Sequence, residues 1–179
     1  LFIDYAGKKL SYVCRGSGEI IECEFFACVL GGSQYTYCEA THSQQKEDFI
    51  NSVENALHYY GGVPAVLVPD NLKSAVTKSS RYDPTINDDF LGMATHYKCS
   101  VMPARALRPR DKALVERYIN ILYTRVYARI SEQTFFSLGE LNQAIGECLV
   151  QHNNTPFQKR PYTRKELFEQ HEKELLSPL

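Results

Sequence analysis

Ala65-Val-Leu-Val68 is a short apolar run closed at both ends by proline, Pro64 and Pro69. A run of that length and composition fits a buried strand. Its place in the chain constrains the fold. It follows a stretch in which Phe49, Ile50, Val53, Ala56, Leu57 and Tyr60 recur at helical spacing, opened by Ser43 and Gln44 and ended by Gly61-Gly62. A strand reached through a helical crossover pairs parallel with an earlier strand, so the sequence predicts a mixed sheet. Asp70 falls just past the end of the run, where open α/β sheets place ligands outside the carboxyl ends of their strands.

The region before the crossover reads as an antiparallel meander. Leu1 to Ala6 is a strand carrying Asp4 among apolar residues, Gly7-Lys8-Lys9 a turn, and Leu10 to Cys14 a second strand. Arg15 to Gly18 turns into a long apolar strand over Glu19 to Leu30, and Gly31-Gly32-Ser33 into an alternating strand over Gln34 to Ala40. Beyond Asp70, the polar Lys73 to Asn87 stretch predicts a helical turn followed by an exposed loop. A helix over Asn87 to Tyr97, a fifth short strand over Cys99 to Met102 and a basic loop over Pro103 to Arg110 follow. Asp111 is the expected cap of a long helix whose core stripe is Val115, Ile119, Leu122, Val126 and Ile130, with Glu116 one residue off it. Further helices are expected from Ser137 to His152 and from Thr163 to about Leu175. The expected division is a core over 1–135 and a helical extension of the same domain over 136–179.

Hydrophobic residues make up 44% of the 179 and charged residues 23%, which argues against wholesale disorder and fits one domain with a single substantial core. No unbroken apolar stretch approaches eighteen residues, so no membrane span is expected. The chain opens inside a strand without Met and is expected to be a fragment of a longer protein. The net charge of −1 decides nothing about nucleic acid, because averaging hides local stripes and carboxylate-rich sites subtract from the sum. The six cysteines, at positions 14, 23, 28, 38, 99 and 148, show no zinc-type spacing. Cys28 and Cys38 are expected near each other across the Gly31–Ser33 turn, reduced in a cytosolic protein. Cys148 and His152 stand four apart on a helix without a second pair of ligands to complete a metal site.

Three acids carry the chemistry. An ionised carboxylate in an apolar strand, as at Asp4, is costly unless it is paired or holds a metal. Parallel pairing of the first strand with the strand before Asp70 would set Asp4 and Asp70 side by side, and Glu116 brought over them would make three converging anions. Such a cluster repels itself unless divalent cations hold it together. Hard oxygen ligands favour Mg²⁺ or Mn²⁺, and two such ions about 4 Å apart suit in-line displacement at a phosphodiester. Singly, each acid has a plainer reading: Asp70 as a turn or cap, Glu116 as a surface partner of Lys112, Asp4 as a side chain turned outward.

The residues also carry a resemblance. Asp4-Tyr-Ala-Gly-Lys-Lys, Val68-Pro-Asp-Asn-Leu-Lys-Ser-Ala-Val76, Pro103-Ala-Arg with Pro109-Arg-Asp-Lys-Ala-Leu-Val-Glu116, and Asn153-Asn-Thr-Pro-Phe-Gln-Lys-Arg160 resemble the catalytic core of IstA-type insertion-sequence transposases. These belong to the wider group of DDE transposases and retroviral-type integrases, and the match spans nearly the whole chain. The resemblance implies a ribonuclease H-like α/β fold, a five-stranded mixed sheet flanked by helices with extra C-terminal helices. It makes Asp4, Asp70 and Glu116 the catalytic, metal-binding triad for two Mg²⁺ (or Mn²⁺) ions, with Asp4 bridging both. The implied reaction is hydrolysis at transposon ends followed by strand transfer into target DNA, with no protein nucleophile. The gap from Asp70 to Glu116 is longer than in retroviral-type integrases, which leaves the placement of Glu116 open. A synaptic homo-oligomer, an AAA+ ATPase helper, flanking DNA-binding domains outside these residues and a bacterial cytoplasmic, nucleoid-associated location are implied as well.

DNA contact is expected from local charge. Arg105, Arg108, Arg110 and Lys112 crowd the loop and helix start around Glu116, with Arg117, Arg125 and Arg129 farther along, and Lys73 flanks Asp70. Such a patch holds phosphates without reading bases. Lys159, Arg160, Arg164 and Lys165 form a second basic cluster without an assigned role. Two rival functions fit the same residues: a stand-alone nuclease of this fold, such as a ribonuclease H or junction resolvase, and a non-catalytic scaffold that binds DNA or a partner.

Overall fold

The computed structural model describes residues 1–70, 75–78, 85–103 and 117–179. Its centre is a five-stranded sheet of β1 (Phe2–Val13), β2 (Ile20–Val29), β3 (Thr36–Thr41), β4 (Val66–Pro69) and β7 (Ser100–Val101), ordered β3-β2-β1-β4-β7. β1, β2 and β3 form the antiparallel meander, while β4 pairs parallel with β1 and β7 parallel with β4. The crossover that makes β4 parallel is α1 (Lys46–Tyr60), followed later by α2 (Asp88–His96). Gly61 closes α1 in the left-handed conformation at φ 72°. Gly62 is required for a different reason, since a Cβ there would lie 2.7 Å from that of Leu176.

The sheet is covered on both faces, each by a different pair of helices. Ile3, Tyr5, Phe26 and Cys28 point to one face and pack with Phe49, Val53, Ala56 and Tyr60 of α1 and Phe90 and Met93 of α2. Ala6, Leu10, Cys23, Phe25 and Ala27 point to the other. There they meet Ile119, Leu122, Val126 and Ile130 of α3, a helix described over 117–130 with a π turn at Tyr123–Tyr127, and Leu141, Ile145 and Leu149 of α4 (Leu138–Asn154). The last helix, α5, joins a regular turn at Arg164–Leu167, a π segment at Phe168–Glu172 and a 3-10 turn at Lys173–Leu175. Its Phe168 packs into the α1 face and stacks on Tyr35 at 4.6 Å, beside Tyr59 and Tyr60, so these tyrosines are packing residues.

The structure corrects three local expectations. Gly7-Lys8-Lys9 does not turn the chain, and β1 runs unbroken through it. The register passes from Ala6↔Phe25 to Leu10↔Cys23, so β1 spends two more residues than β2 and bulges. Cys28 pairs with Tyr37 and Cys38 with Ala27, so the two thiols leave the sheet on opposite faces. Part of the polar stretch after Asp70 is strand: β5 (Val76–Lys78) pairs antiparallel with β6 (Thr85–Ile86).

β3 is an edge strand, and α4 seals it with two side-chain amides. Asn142 accepts from the Ala40 N–H at 2.6 Å and donates to the Ala40 carbonyl at 3.0 Å. Asn153 does the same at Thr36, at 3.1 and 2.8 Å, and also donates to the Tyr59 hydroxyl at 3.1 Å. Each amide replaces one residue of a missing neighbour strand, which blunts an edge that would otherwise template pairing with another chain. Among the described residues, no helix is long and apolar enough to cross a membrane.

Candidate functional site

Asp4 and Asp70 meet where β1 and β4 run side by side. The register Phe2↔Val68 and Ile3↔Pro69 advances by one through the bond from the Asp70 N–H to the Ile3 carbonyl, 2.9 Å, which sets Asp70 opposite Asp4. Residues opposite one another in neighbouring strands point to the same face, and those strands lie about 4.8 Å apart. On β1 that face is the one used by Phe2 and Ala6, the side covered by α3 and α4. Asp4 is therefore half-buried between apolar neighbours, with its Oδ1 accepting from the Tyr5 N–H at 2.8 Å.

The bulge in β1 anchors the helix that covers this face. The Tyr123 hydroxyl accepts from the Lys8 N–H at 3.0 Å, and the Tyr127 hydroxyl donates to the Lys9 carbonyl at 3.1 Å. The Lys8 ammonium lies 5.3 and 5.7 Å from the two ring centres. As positions rise from 123 to 127 on α3 they rise from 8 to 9 on β1, so helix and strand run in the same sense. Six helical residues before Tyr123 cover about 9 Å, close to three strand residues, which carries Arg117 back toward the level of Asp4. Glu116, the third expected acid, lies outside the described residues, as do Lys73, Arg105, Arg108, Arg110 and Lys112. The structure thus brings Asp4 and Asp70 together and carries α3 over the same face.

Two carboxylates facing each other across a strand spacing repel, and the donor set is all hard oxygen, so it fits a Mg²⁺- or Mn²⁺-type ion. Among the described residues, no group of three or more His, Cys, Asp or Glu side chains is placed to hold a metal. All six cysteines are free thiols, and burial pushes Cys23 up to about 11 and Cys28 up to about 12, which makes them poor nucleophiles.

His152 is a core residue of α4, 3% exposed, with Nδ1 unpartnered. Burial, with Arg164 and Arg125 nearby, lowers its pKa from 6.5 to about 3. The native state therefore keeps it neutral while the unfolded chain takes up a proton below pH 6.5. The stabilising contribution is full above pH 6.5 and is lost as pH falls toward 3. By pH 5 the loss is about 2 kcal/mol. Denaturant titrations at pH 7 and 5 on the protein and on His152→Gln should show that much less acid sensitivity in the variant. Equal pH dependence would refute the assignment.

The second basic cluster is less uniform than its sequence suggests. Lys165 pairs with Glu169 on the surface, whereas Arg164, fixed at the start of α5 by a capping box between Thr163 and Glu166, is 4% exposed. A buried arginine with no ion-pair partner among the described residues has no signature in a single sequence, because only tertiary packing takes it out of water.

No protein-family model matches the chain. It is 41% identical over 176 residues to a putative transposase of Sinorhizobium fredii, covering 98% of this chain and 34% of that protein. It is 38% identical over 179 residues to the putative transposase for insertion sequence IS408 of Burkholderia multivorans, covering 100% of this chain and 35% of that protein. The chain thus spans about a third of the length of the curated relatives it matches. Among solved structures it is similar to the catalytic core domain of bovine immunodeficiency virus (BIV) integrase, with a TM-score of 0.66 and 12% identity over 96% of this chain and 95% of that one. It is also similar to the HTLV-2 integrase catalytic core in complex with magnesium, in a trimeric form, with a TM-score of 0.60 and 15% identity over 93% and 94%. The fold is that of integrase catalytic cores, a ribonuclease H-like mixed sheet flanked by helices.

Proposed function

This chain belongs to the insertion-sequence transposase family, and we propose that it is the catalytic core in which Asp4, Asp70 and Glu116 act together on DNA. The reaction is phosphodiester hydrolysis at transposon ends, followed by transfer of the exposed 3′-hydroxyl into target DNA. The observation that carries the reading is the pairing of Asp4 with Asp70 across β1 and β4, which sets two hard-oxygen donors side by side at the end of the parallel strands. The three carboxylates would hold two Mg²⁺ or Mn²⁺ ions, which when bound supply charge stabilisation to the attacking and leaving oxygens. The chain's own contribution is position. The β1–β4 ladder fixes two carboxylates, and the apolar face of α3 keeps water from the core side of Asp4. Lys73, Arg105, Arg108, Arg110 and Lys112 would hold the phosphates on either side of the reacting bond.

Residues 1–135 form the catalytic core in this reading and 136–179 a helical extension that braces it. End recognition falls to parts of the protein outside these residues. The working form is a homo-oligomer holding two DNA ends in the bacterial cytoplasm at the nucleoid, with an AAA+ ATPase as helper. The test is a transposon-end duplex incubated with full-length protein and Mn²⁺. Nicking at the end and joining to a second duplex are expected. Cleavage without joining favours a nuclease, and neither reaction by well-folded protein that binds the duplex overturns the reading.

A further inference from the structure

A groove of about 510 Å³ runs between α3 and the segment that leads into α5. Arg117, Tyr118 and Arg125 line it from α3, Arg160 and Arg164 from the other wall, and Gln34 from the β2–β3 turn. A second hollow of about 290 Å³ shares Arg125 and continues to Arg129 and His152. Arg117, Arg125 and Arg129 fall on one helical stripe with Ile121, each step of four residues advancing about 6 Å, so the cationic wall extends roughly 18 Å. Among the described residues, no carboxylate lines either hollow and none of these arginines forms an ion pair.

Arg164 is the most informative member. Its guanidinium lies over the Phe157 ring, 4.5 Å from the ring centre, and Nη1 is buried with no hydrogen-bond partner. It sits in the first turn of a helix, where the macrodipole already disfavours a cation. A buried guanidinium lined up with three others is costly to the free protein, and an anion in the groove offsets that cost.

We propose that this groove is a phosphodiester track, separate from the acidic site, that holds the backbone of duplex DNA entering or leaving it. The proposal rests on the reading of the chain as a DNA-processing core. Repeated guanidiniums in a row match a polymer of regularly spaced phosphates better than one small anion, and the planar fork of arginine suits phosphate oxygens. The row also begins at Arg117, next in sequence to Glu116. An acidic peptide segment is the alternative occupant that the experiment excludes or reveals.

The test measures binding of full-length protein to a 30-base-pair duplex of arbitrary sequence by fluorescence anisotropy, in EDTA, across a salt series. The double variant Arg125→Gln/Arg160→Gln is compared with Arg15→Gln, an exposed arginine paired with Glu140 and absent from the groove lining. Both groove positions lack a protein ion pair, so folding, checked by thermal melting, should be kept. The double variant should bind about tenfold more weakly at 100 mM salt. Its slope of log affinity against log salt should be shallower by about 2, with Arg15→Gln unchanged. Arg164→Lys, which keeps the charge and loses the fork, should also weaken binding. Unchanged affinity and slope in the double variant overturn the track while leaving the DNA-processing reading intact. Displacement of a polyglutamate peptide with duplex binding unchanged assigns the groove to a protein partner and likewise overturns it. Wild-type protein that binds no duplex at any salt removes the underlying reading instead.

Discussion

Asp70→Asn should lose about a thousandfold or more of Mn²⁺-dependent nicking while folding at least as well as the parent protein. Asn keeps the size of Asp and an oxygen that can accept a hydrogen bond, so the change is almost purely the loss of one negative charge opposite Asp4. A thousandfold loss corresponds to about 4 kcal/mol of lost transition-state stabilisation, within the range expected when one carboxylate ligand of a metal site is removed. Stability should move the other way. Two carboxylates about 5 Å apart repel by roughly 1 kcal/mol when well solvated, so without metal the variant should be stabilised by up to that amount. Adding Mg²⁺ should raise the melting temperature of the wild type and not of the variant. Asp4→Asn should behave alike in activity. A merely structural role for Asp70 would give the reverse pattern, with stability falling and nicking persisting in the remaining folded protein. Full transposition in cells by Asp70→Asn would favour the non-catalytic scaffold.

Asn153→Ala should cost about 4 kcal/mol of stability, seen as a shift of the denaturation midpoint without a change in slope. Asn153 is 1% exposed, and its amide uses both donors and its acceptor on Thr36 and Tyr59. Truncation leaves the buried Thr36 N–H and carbonyl without partners, each worth about 1 to 3 kcal/mol, and takes a donor from the half-buried Tyr59 hydroxyl. It also opens the end of an edge strand. Asn142→Ala removes the equivalent pair at Ala40 from a half-buried position where water can substitute, so its cost should be about half as large. A loss below about 1 kcal/mol in Asn153→Ala would mean that the amide is not what holds α4 to β3.

Periodicity and punctuation made most of the fold legible. The crossover helix, the parallel strand ending at Pro69, the helix starts near Asn87, Ser137 and Thr163, and the stripe of Ile119, Leu122, Val126 and Ile130 all depend on residues a few positions apart. Topology followed from them, because a short strand after a right-handed crossover has few places to go. That topology is what sets Asp4 beside Asp70. Gly7-Lys8-Lys9 reads as a turn in the sequence because a bulge and a turn draw on the same residue types. Only the partner strand, which passes from Phe25 to Cys23 with one residue between them, separates the two. Cys28 and Cys38 are close across β2 and β3 but do not face each other for a related reason, since a one-residue change in register sends a side chain to the other face.

Local sequence by itself determined the order of the elements, their capping and which faces are apolar, because those depend on short-range sterics and on hydrophobic period. Tertiary structure alone decided the register that sets Asp70 opposite Asp4, the sealing of β3 by Asn142 and Asn153, and the burial of Arg164 beside Arg125. Each of these depends on residues many positions apart reaching a common place. Their energies come from desolvation and long-range pairing, which exist only once the sheet and helices have closed around them.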